Sequence, residues 1–189
     1  MRIGHIDLSR HIAAAEEQLV VLIEALTMRG VEQHVLVRNP FLAKRLSVCP
    51  GVSVGPIVKS SVTACILMPT VDLVHSHEPK AVSAGMLLNL TRSVPYILTH
   101  RQFITPGNSP IHRLKYRRCD GIVCPSEHIS SVMLDYVSDK PVDTIGDACN
   151  ADNAIDPENG RISAKGMAAE YLRVYRRTLD GRCMPARQL

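Results

Sequence analysis

The stretch Val71-Asp72-Leu73-Val74-His75-Ser76-His77-Glu78-Pro79, running directly into Lys80-Ala81-Val82-Ser83-Ala84-Gly85-Met86-Leu87-Leu88-Asn89-Leu90, decides the fold class. Its first five residues are mostly apolar and read as a strand. A polar cluster and a proline stop that strand, and small and aliphatic side chains then take up helical spacing over 80–90. A strand that leads through a short polar loop into a helix is half of a crossover unit, because parallel strands are joined by long return segments that are usually helices.

The same alternation extends in both directions. Upstream, 2–8 reads as a strand, Ser9-Arg10-His11 as a loop, and a helix begins at about Ala13. In that helix Ala15, Leu19, Leu22 and Leu26 form one apolar stripe, and Gly30 follows as a C-cap. Residues 33–37 predict a second strand halted by Asn39-Pro40, and 52–58 a third. Downstream, 96–99 and 121–124 predict the fifth and sixth strands and 141–145 a last one. Regular alternation of this kind implies an α/β fold with a doubly wound, mainly parallel sheet of about six to seven strands across residues 1–145. Residues 146–162 have neither period and read as a linker, 163–181 as an amphipathic basic helix packed back on the sheet, and 182–189 as a tail. In that helix Met167, Tyr171, Val174 or Tyr175, and Thr178 or Leu179 share a face, with Arg173, Arg176 and Arg177 largely elsewhere.

Composition agrees. The 189 residues are 46% hydrophobic and 21% charged, which suits one compact domain and excludes global disorder. Five Tyr, two Phe and no Trp leave the core to aliphatic side chains and offer little for stacking on nucleic acid. Residues 1–159 carry 15 Lys+Arg against 16 Asp+Glu, whereas 160–189 carry 7 against 2, so the basic character belongs to the tail. A second basic cluster is Arg113, Lys115, Arg117 and Arg118. Nucleic acid is therefore not an expected partner. No apolar run reaches the ~18 residues of a membrane span, and the N-terminus does not read as a secretory signal, so the cytoplasm is the expected compartment. The six cysteines lack any CxxC spacing and read as reduced, mostly buried thiols; Cys119 and Cys124 flank the sixth strand as core.

In an open α/β sheet, ligands bind beyond the carboxyl ends of the strands where strand order reverses. That rule singles out 7–15, 76–80, 100–103 and 126–127, which contain Arg10, His11, His77, His100, Arg101, Ser126 and Glu127. Imidazole and guanidinium groups there suit polyhydroxylated or phosphorylated ligands, since they give directional hydrogen bonds and oppose negative charge. A loop histidine can equally be a plain exposed side chain. His75 and His77 share a strand face, but no third ligand recurs at a recognised offset, so no metal centre is expected. Walker, GxGxxG, GxSxG and HExxH motifs are absent from the sequence, which removes the usual support for ATPase, dinucleotide, hydrolase and metalloprotease readings.

Four stretches in order resemble the amino-terminal half of the family 4, GT-B-fold glycosyltransferases, over roughly 1–152. Ala13-Ala14-Ala15-Glu16 through Arg29-Gly30-Val31-Glu32 is similar to the family's Gly-Gly-Ala-Glu helix and Arg-Gly-His-Glu turn. Asp72 to His77 matches its Asp-Ile-Val-His-x-His strand, Thr99-His100-Arg101 a Thr-His-Arg element, and Tyr116 to Glu127 the element that closes the domain. The helix at 163–179 resembles the family's last helix, which normally follows a whole carboxyl-terminal donor domain and crosses back.

The resemblance implies a Rossmann-like domain, the acceptor-binding half of a truncated glycosyltransferase of the cell-envelope or lipopolysaccharide type. No cofactor is implied beyond a nucleotide-sugar donor acting as co-substrate. The family's Glu-x7-Glu donor motif has no counterpart after residue 125; Glu16 and Glu24 have that spacing only as helical periodicity. His100 then matches a position that contacts the transferred sugar and is the catalytic candidate. Arg10, Ala13, Ala14, His77, Arg101, Ser126 and Glu127 are the substrate-binding candidates. Ala13-Ala14 replace the family's Gly-Gly, and their methyl groups hinder close backbone approach to a ligand. Retaining transfer needs cationic groups around the departing nucleoside diphosphate, which the second domain supplies in the family. The implied partners are a saccharide or lipid-linked acceptor and a donor-domain chain or a second copy. The arginines of the basic C-terminal helix suit a membrane surface, but the helix reads more readily as docked on the first domain through Met167, Tyr171 and Tyr175 with its arginines solvated. The alternative is a non-catalytic binding protein built on the same domain.

Overall fold

The computed structural model describes residues 1–137, 139–149 and 162–183, with the side chains of 149, 182 and 183 set aside. Seven strands form one all-parallel sheet: β1 (Arg2–Asp7), β2 (Glu32–Val37), β3 (Val52–Val54), β4 (Leu73–Ser76), β5 (Tyr96–Thr99), β6 (Gly121–Cys124) and β7 (Val142–Thr144). Their order is β3-β2-β1-β4-β5-β6-β7, the doubly wound arrangement expected from the alternation. The helices are α1 (Ala14–Thr27), α2 (Pro40–Ser47), α3 (Ser61–Leu67), α4 (Ala81–Arg92), α5 (Pro110–Arg118), α6 (Glu127–Tyr136) and α7 (Ala164–Cys183).

Period-two alternation sorts the strand side chains into two layers. Ile6, Val74, Tyr96, Leu98, Ile122 and Cys124 face α3 to α6. Ile3, Leu73, Ile97 and Val123 face α1 and α7, while Val35 and Val37 face α1 and α2. Because the first two crossovers run one way from β1 and the rest the other, right-handed connections place α1 and α2 on one face and α3 to α6 on the other. The face of β4 to β6 opposite α4 would then lie bare. The C-terminal helix covers it: Met167, Tyr171, Val174 and Tyr175 are each at most 3% exposed, while Arg173, Arg176 and Arg177 face solvent. Burying a side chain of this size contributes roughly 1.5–3 kcal/mol, enough to hold α7 in place.

Three local readings differ from the structure. Asn39-Pro40 ends β2 but also starts α2: Asn39 Oδ1 accepts the N–H groups of Phe41 and Leu42 at 2.9 and 3.2 Å, and Pro40 takes the first helical position. The third strand ends at Val54 and not at Val58, because Gly55 passes so close to β2 that a Cβ there would meet Leu36 Cδ2 at 2.5 Å, and Pro56 has no N–H. The stretch expected as a linker also contributes strands at its two ends, β8 (Ala148–Cys149) and β9 (Ile162–Ser163), paired in parallel. Residues 150–161 and 184–189 lie outside the described residues.

Candidate functional site

Strand order reverses between β1 and β4, so the crevice beyond Asp7 and Ser76 is the expected ligand edge. Three carboxyl groups stand there. Asp7, 2% exposed, accepts the Ser9 N–H at 2.9 Å; burial, with the charges of Glu16 and Glu78, raises its pKa to about 6 against the pull of Ser9. Glu16 accepts the Ala13 N–H at 2.6 Å, half of a capping box whose other half an alanine cannot supply. Glu78 accepts from Lys80 and Ala81 at 2.8 and 2.7 Å and so caps α4, while burial pushes its pKa up. This edge is acidic.

Beneath it lies a buried set of imidazoles. His5 on β1 is register partner to His75 on β4, and both point into the layer covered by α7. Nδ1 of His5 is 3.0 Å from Nε2 of His77, and the His75 and His77 rings are 3.8 Å apart between centroids. Both nitrogens of His75 are engaged, Nδ1 by the Tyr175 hydroxyl at 2.8 Å and Nε2 by Thr99 Oγ1 at 2.7 Å. Thr99 continues to the Tyr171 hydroxyl at 3.1 Å. Burial lowers His5 to about 3 and holds His75 and His77 well below the usual 6.5, with each other's charge and that of Arg101 adding to the effect. All three are neutral at pH 7.

The third imidazole of this set is a correction to the sequence reading, which found none for the His75/His77 pair. One nitrogen from each of His5, His75 and His77 lies within 4.8 Å of the others. With both His75 nitrogens bonded to hydroxyls and His5 Nδ1 facing His77 Nε2, the three rings form a hydrogen-bond network that leaves His5 Nε2 over. On the far side of His5, Gln33 opposes part of the drop in its pKa, and neither His5 Nε2 nor Gln33 Oε1, both buried, completes a hydrogen bond.

The residues singled out from sequence fall into distinct places. His77 turns inward to His5. Arg101 binds Asp147 at 2.6 Å and its charge reaches His75 and His77, so these belong together. His100, 2% exposed, lies on the opposite side of the sheet with Nδ1 3.5 Å from the Tyr116 hydroxyl. Its Nε2 is buried without a partner, and burial lowers its pKa, leaving a neutral ring. Ser126 caps α6 by accepting the Ile129 N–H at 3.4 Å, and Glu127 is exposed in the first turn. Arg10 and His11 are exposed, and the Arg10 carbonyl is fixed by Asn39 Nδ2 at 2.8 Å. Ala13 is extended (φ −133°) and exposed, as is Ala14, so no left-handed backbone is demanded where the methyl groups stand. Asp7 and Glu78 lie in the stretches 7–15 and 76–80 but are not among the named candidates, and His5 lies outside those stretches. An acidic residue at a strand end and another at a helix start were their only local signals.

A doubly wound domain with its polar residues gathered past the β1/β4 reversal, closed by a helix from the far end of the described chain, is a Rossmann-like architecture. The sequence profile of Glycosyltransferase Family 4 matches residues 15–152, and the chain belongs to that family. A glycosyltransferase from Rickettsia africae superposes with TM-score 0.64 at 14% identity, covering 98% of this chain and 51% of that one. The Anabaena protein HepE, solved with UDP-glucose, superposes with TM-score 0.60 at 14% identity over 79% of this chain and 44% of its own. A Lactobacillus casei protein aligns over 94% of both chains with TM-score 0.57 and 12% identity. The chain thus spans about half the length of the Rickettsia and Anabaena proteins, at 51% and 44%. No curated protein matches it.

Proposed function

We propose that this chain provides the acceptor-binding half of a nucleotide-sugar-dependent, retaining glycosyl transfer of the cell-envelope or lipopolysaccharide type, and that donor binding requires a domain from a partner chain or a second copy. The observation that carries the reading is the acidic reversal edge. Asp7, Glu16 and Glu78 cluster where a nucleoside diphosphate would otherwise lie, and the nearby Arg101 is already engaged by Asp147. Three carboxyls against the two exposed cations of this edge, Arg10 and Lys80, disfavour a diphosphate there, whereas carboxyl and imidazole groups suit sugar hydroxyls. His100 offers a neutral ring whose Nε2 makes no full hydrogen bond; it is buried under the 101–104 loop, which would have to shift to admit a hydroxyl. Arg10, Ala13 and Ala14 line the loop after β1, and Ser126 and Glu127 the loop after β6, on the same sheet edge. The HepE complex with UDP-glucose is consistent with a sugar-type substrate. The reading places the protein in the cytoplasm.

Two titrations test it. Calorimetry of the chain with uridine, guanosine and cytidine diphosphate sugars should show no saturable binding, and micromolar binding would overturn the half-site assignment. Saturation-transfer NMR with envelope saccharides should show contact that is lost in His100→Ala; contact with none of them would favour a non-catalytic interaction role.

A further inference from the structure

The C-terminal helix reads from sequence as docked on the sheet or, less readily, as a membrane contact; its apolar face is enclosed by the sheet and α1, and none of its described large apolar side chains is exposed beside its cations. A different surface combines both properties. Residues 101–119 contain five cations and no carboxylate. They also hold four of the chain's exposed large apolar side chains: Phe103 (68% exposed), Ile104 (75%), Ile111 (56%) and Leu114 (44%).

Their arrangement is ordered. On α5 only Tyr116 is buried. At about 100° per residue, Ile111 and Leu114 lie about 60° apart on the side away from Tyr116, with Arg113 and Arg117 on one flank and Lys115 on the other. The preceding loop is pinned along α6: Phe103 packs against the His128 ring at 5.9 Å, and Gly107 accepts the Tyr136 hydroxyl at 3.0 Å. Arg101 is held by Asp147 and Arg118 by two part-buried bonds to Asn89; Arg113 makes one exposed bond to Asn108 Oδ1 at 3.2 Å and keeps further N–H groups, so with Lys115 and Arg117 it can meet an external charge. Asp139 beside Arg113 and Arg117 is the single carboxylate lining that hollow among the described residues. An apolar pair between cations, beside a second apolar tip, is the pattern that seats a protein in the headgroup layer of an anionic bilayer.

We propose that α5 and the 103–107 loop form a peripheral docking surface for anionic phospholipid. Ile111, Leu114, Phe103 and Ile104 enter the acyl boundary while Arg113, Lys115 and Arg117 contact lipid phosphates. The loop leaves the carboxyl end of β5, so the docked surface adjoins the sheet edge that carries His100. The inference stands on this surface alone and does not require the transfer reading.

Sedimentation with vesicles tests it. The full chain should be captured by phosphatidylcholine vesicles that contain phosphatidylglycerol, less so as salt rises, and not by phosphatidylcholine alone. Ile111→Ser with Leu114→Ser should abolish capture. Arg113→Gln with Arg117→Gln should weaken it about 25-fold, at about fivefold per cation. Arg173→Gln with Arg176→Gln should leave it unchanged. Because the chain has no tryptophan, Leu114→Trp adds a single reporter whose emission should shift to the blue on anionic vesicles. Absence of capture by anionic vesicles, loss of capture in the α7 variant instead of the α5 variants, or an unshifted Trp emission in a sedimenting protein would each overturn the proposal.

Discussion

The Tyr175 hydroxyl lies 2.8 Å from Nδ1 of His75, joining the last helix to the central strand across one hundred residues of sequence. Neither group meets water: both residues are wholly buried. The bond ties the position of α7 to the protonation of the imidazole, since a doubly protonated ring keeps Nδ1 as a donor only. The helix is therefore both a lid on the apolar sheet face and a hydrogen-bond partner to its polar centre.

Removing that hydroxyl tests the coupling. Tyr175→Phe keeps the packing but leaves Nδ1 of His75 unsatisfied in the interior, which should destabilise the fold by about 1–3 kcal/mol. For a chain of this length the expected fall in Tm is about 2–4 °C per kcal/mol, read by calorimetry. Tyr171→Phe should have a smaller effect, because Thr99 retains its bond to His75. Equal losses from the two variants would show that the His75 bond is not the stronger link.

Acid should unfold the protein through the same histidines. Their folded pKa values are depressed, to about 3 for His5 against a usual 6.5. Below pH 6.5 the unfolded chain therefore takes up protons that the folded chain refuses, and stability falls as pH falls, by up to about 1.4 kcal/mol per pH unit for each such ring. Asp7 acts in the opposite sense: its folded pKa is raised to about 6 from 3.8, so acidification across that window returns part of the loss. Glu78, also raised by burial, acts the same way, but the three rings outweigh the two carboxyls. Urea midpoints should drop steadily from pH 6.5 towards 4, and a flat profile would contradict the buried neutral state.

Two glycines should differ in their tolerance of a methyl group. At Gly85 a Cβ would meet Tyr96 Cδ2 at 2.7 Å and Ser76 Oγ at 3.0 Å, where α4 lies on the sheet. At Gly4 the nearest atom is the Met68 sulfur at 2.8 Å, the end of a flexible side chain. Gly85→Ala should cost about 1–3 kcal/mol and Gly4→Ala less, as measured by chemical denaturation.

The loop that carries Arg10 depends on Asn39. Its side chain caps α2 and also donates to the Arg10 carbonyl at 2.8 Å. Asn39→Ala should lower stability by about 1–2 kcal/mol and speed amide exchange over residues 9–12, read by hydrogen exchange. Asn39→Ser, which restores a cap but does not reach across, should recover stability while the exchange stays fast.

Seven strands and the helices α1, α4 and α7 were legible in the sequence because each is decided within a window of about ten residues, by period, by caps and by proline. The same local rules indicated where a ligand edge must form, and they placed His77, His100, Arg101 and Ser126 along it. Helices α2 and α3, at eight and seven residues, were too short to show a period. Strand order, and with it the convergence of Asp7, Glu16 and Glu78, had no local signal. His5 became the third imidazole only when register set it opposite His75, and α7 was an amphipathic helix in search of a surface until β4 to β6 presented one. Pairing register and layer packing act between residues tens of positions apart, where periodicity carries no information, so they are decided only when the whole core closes.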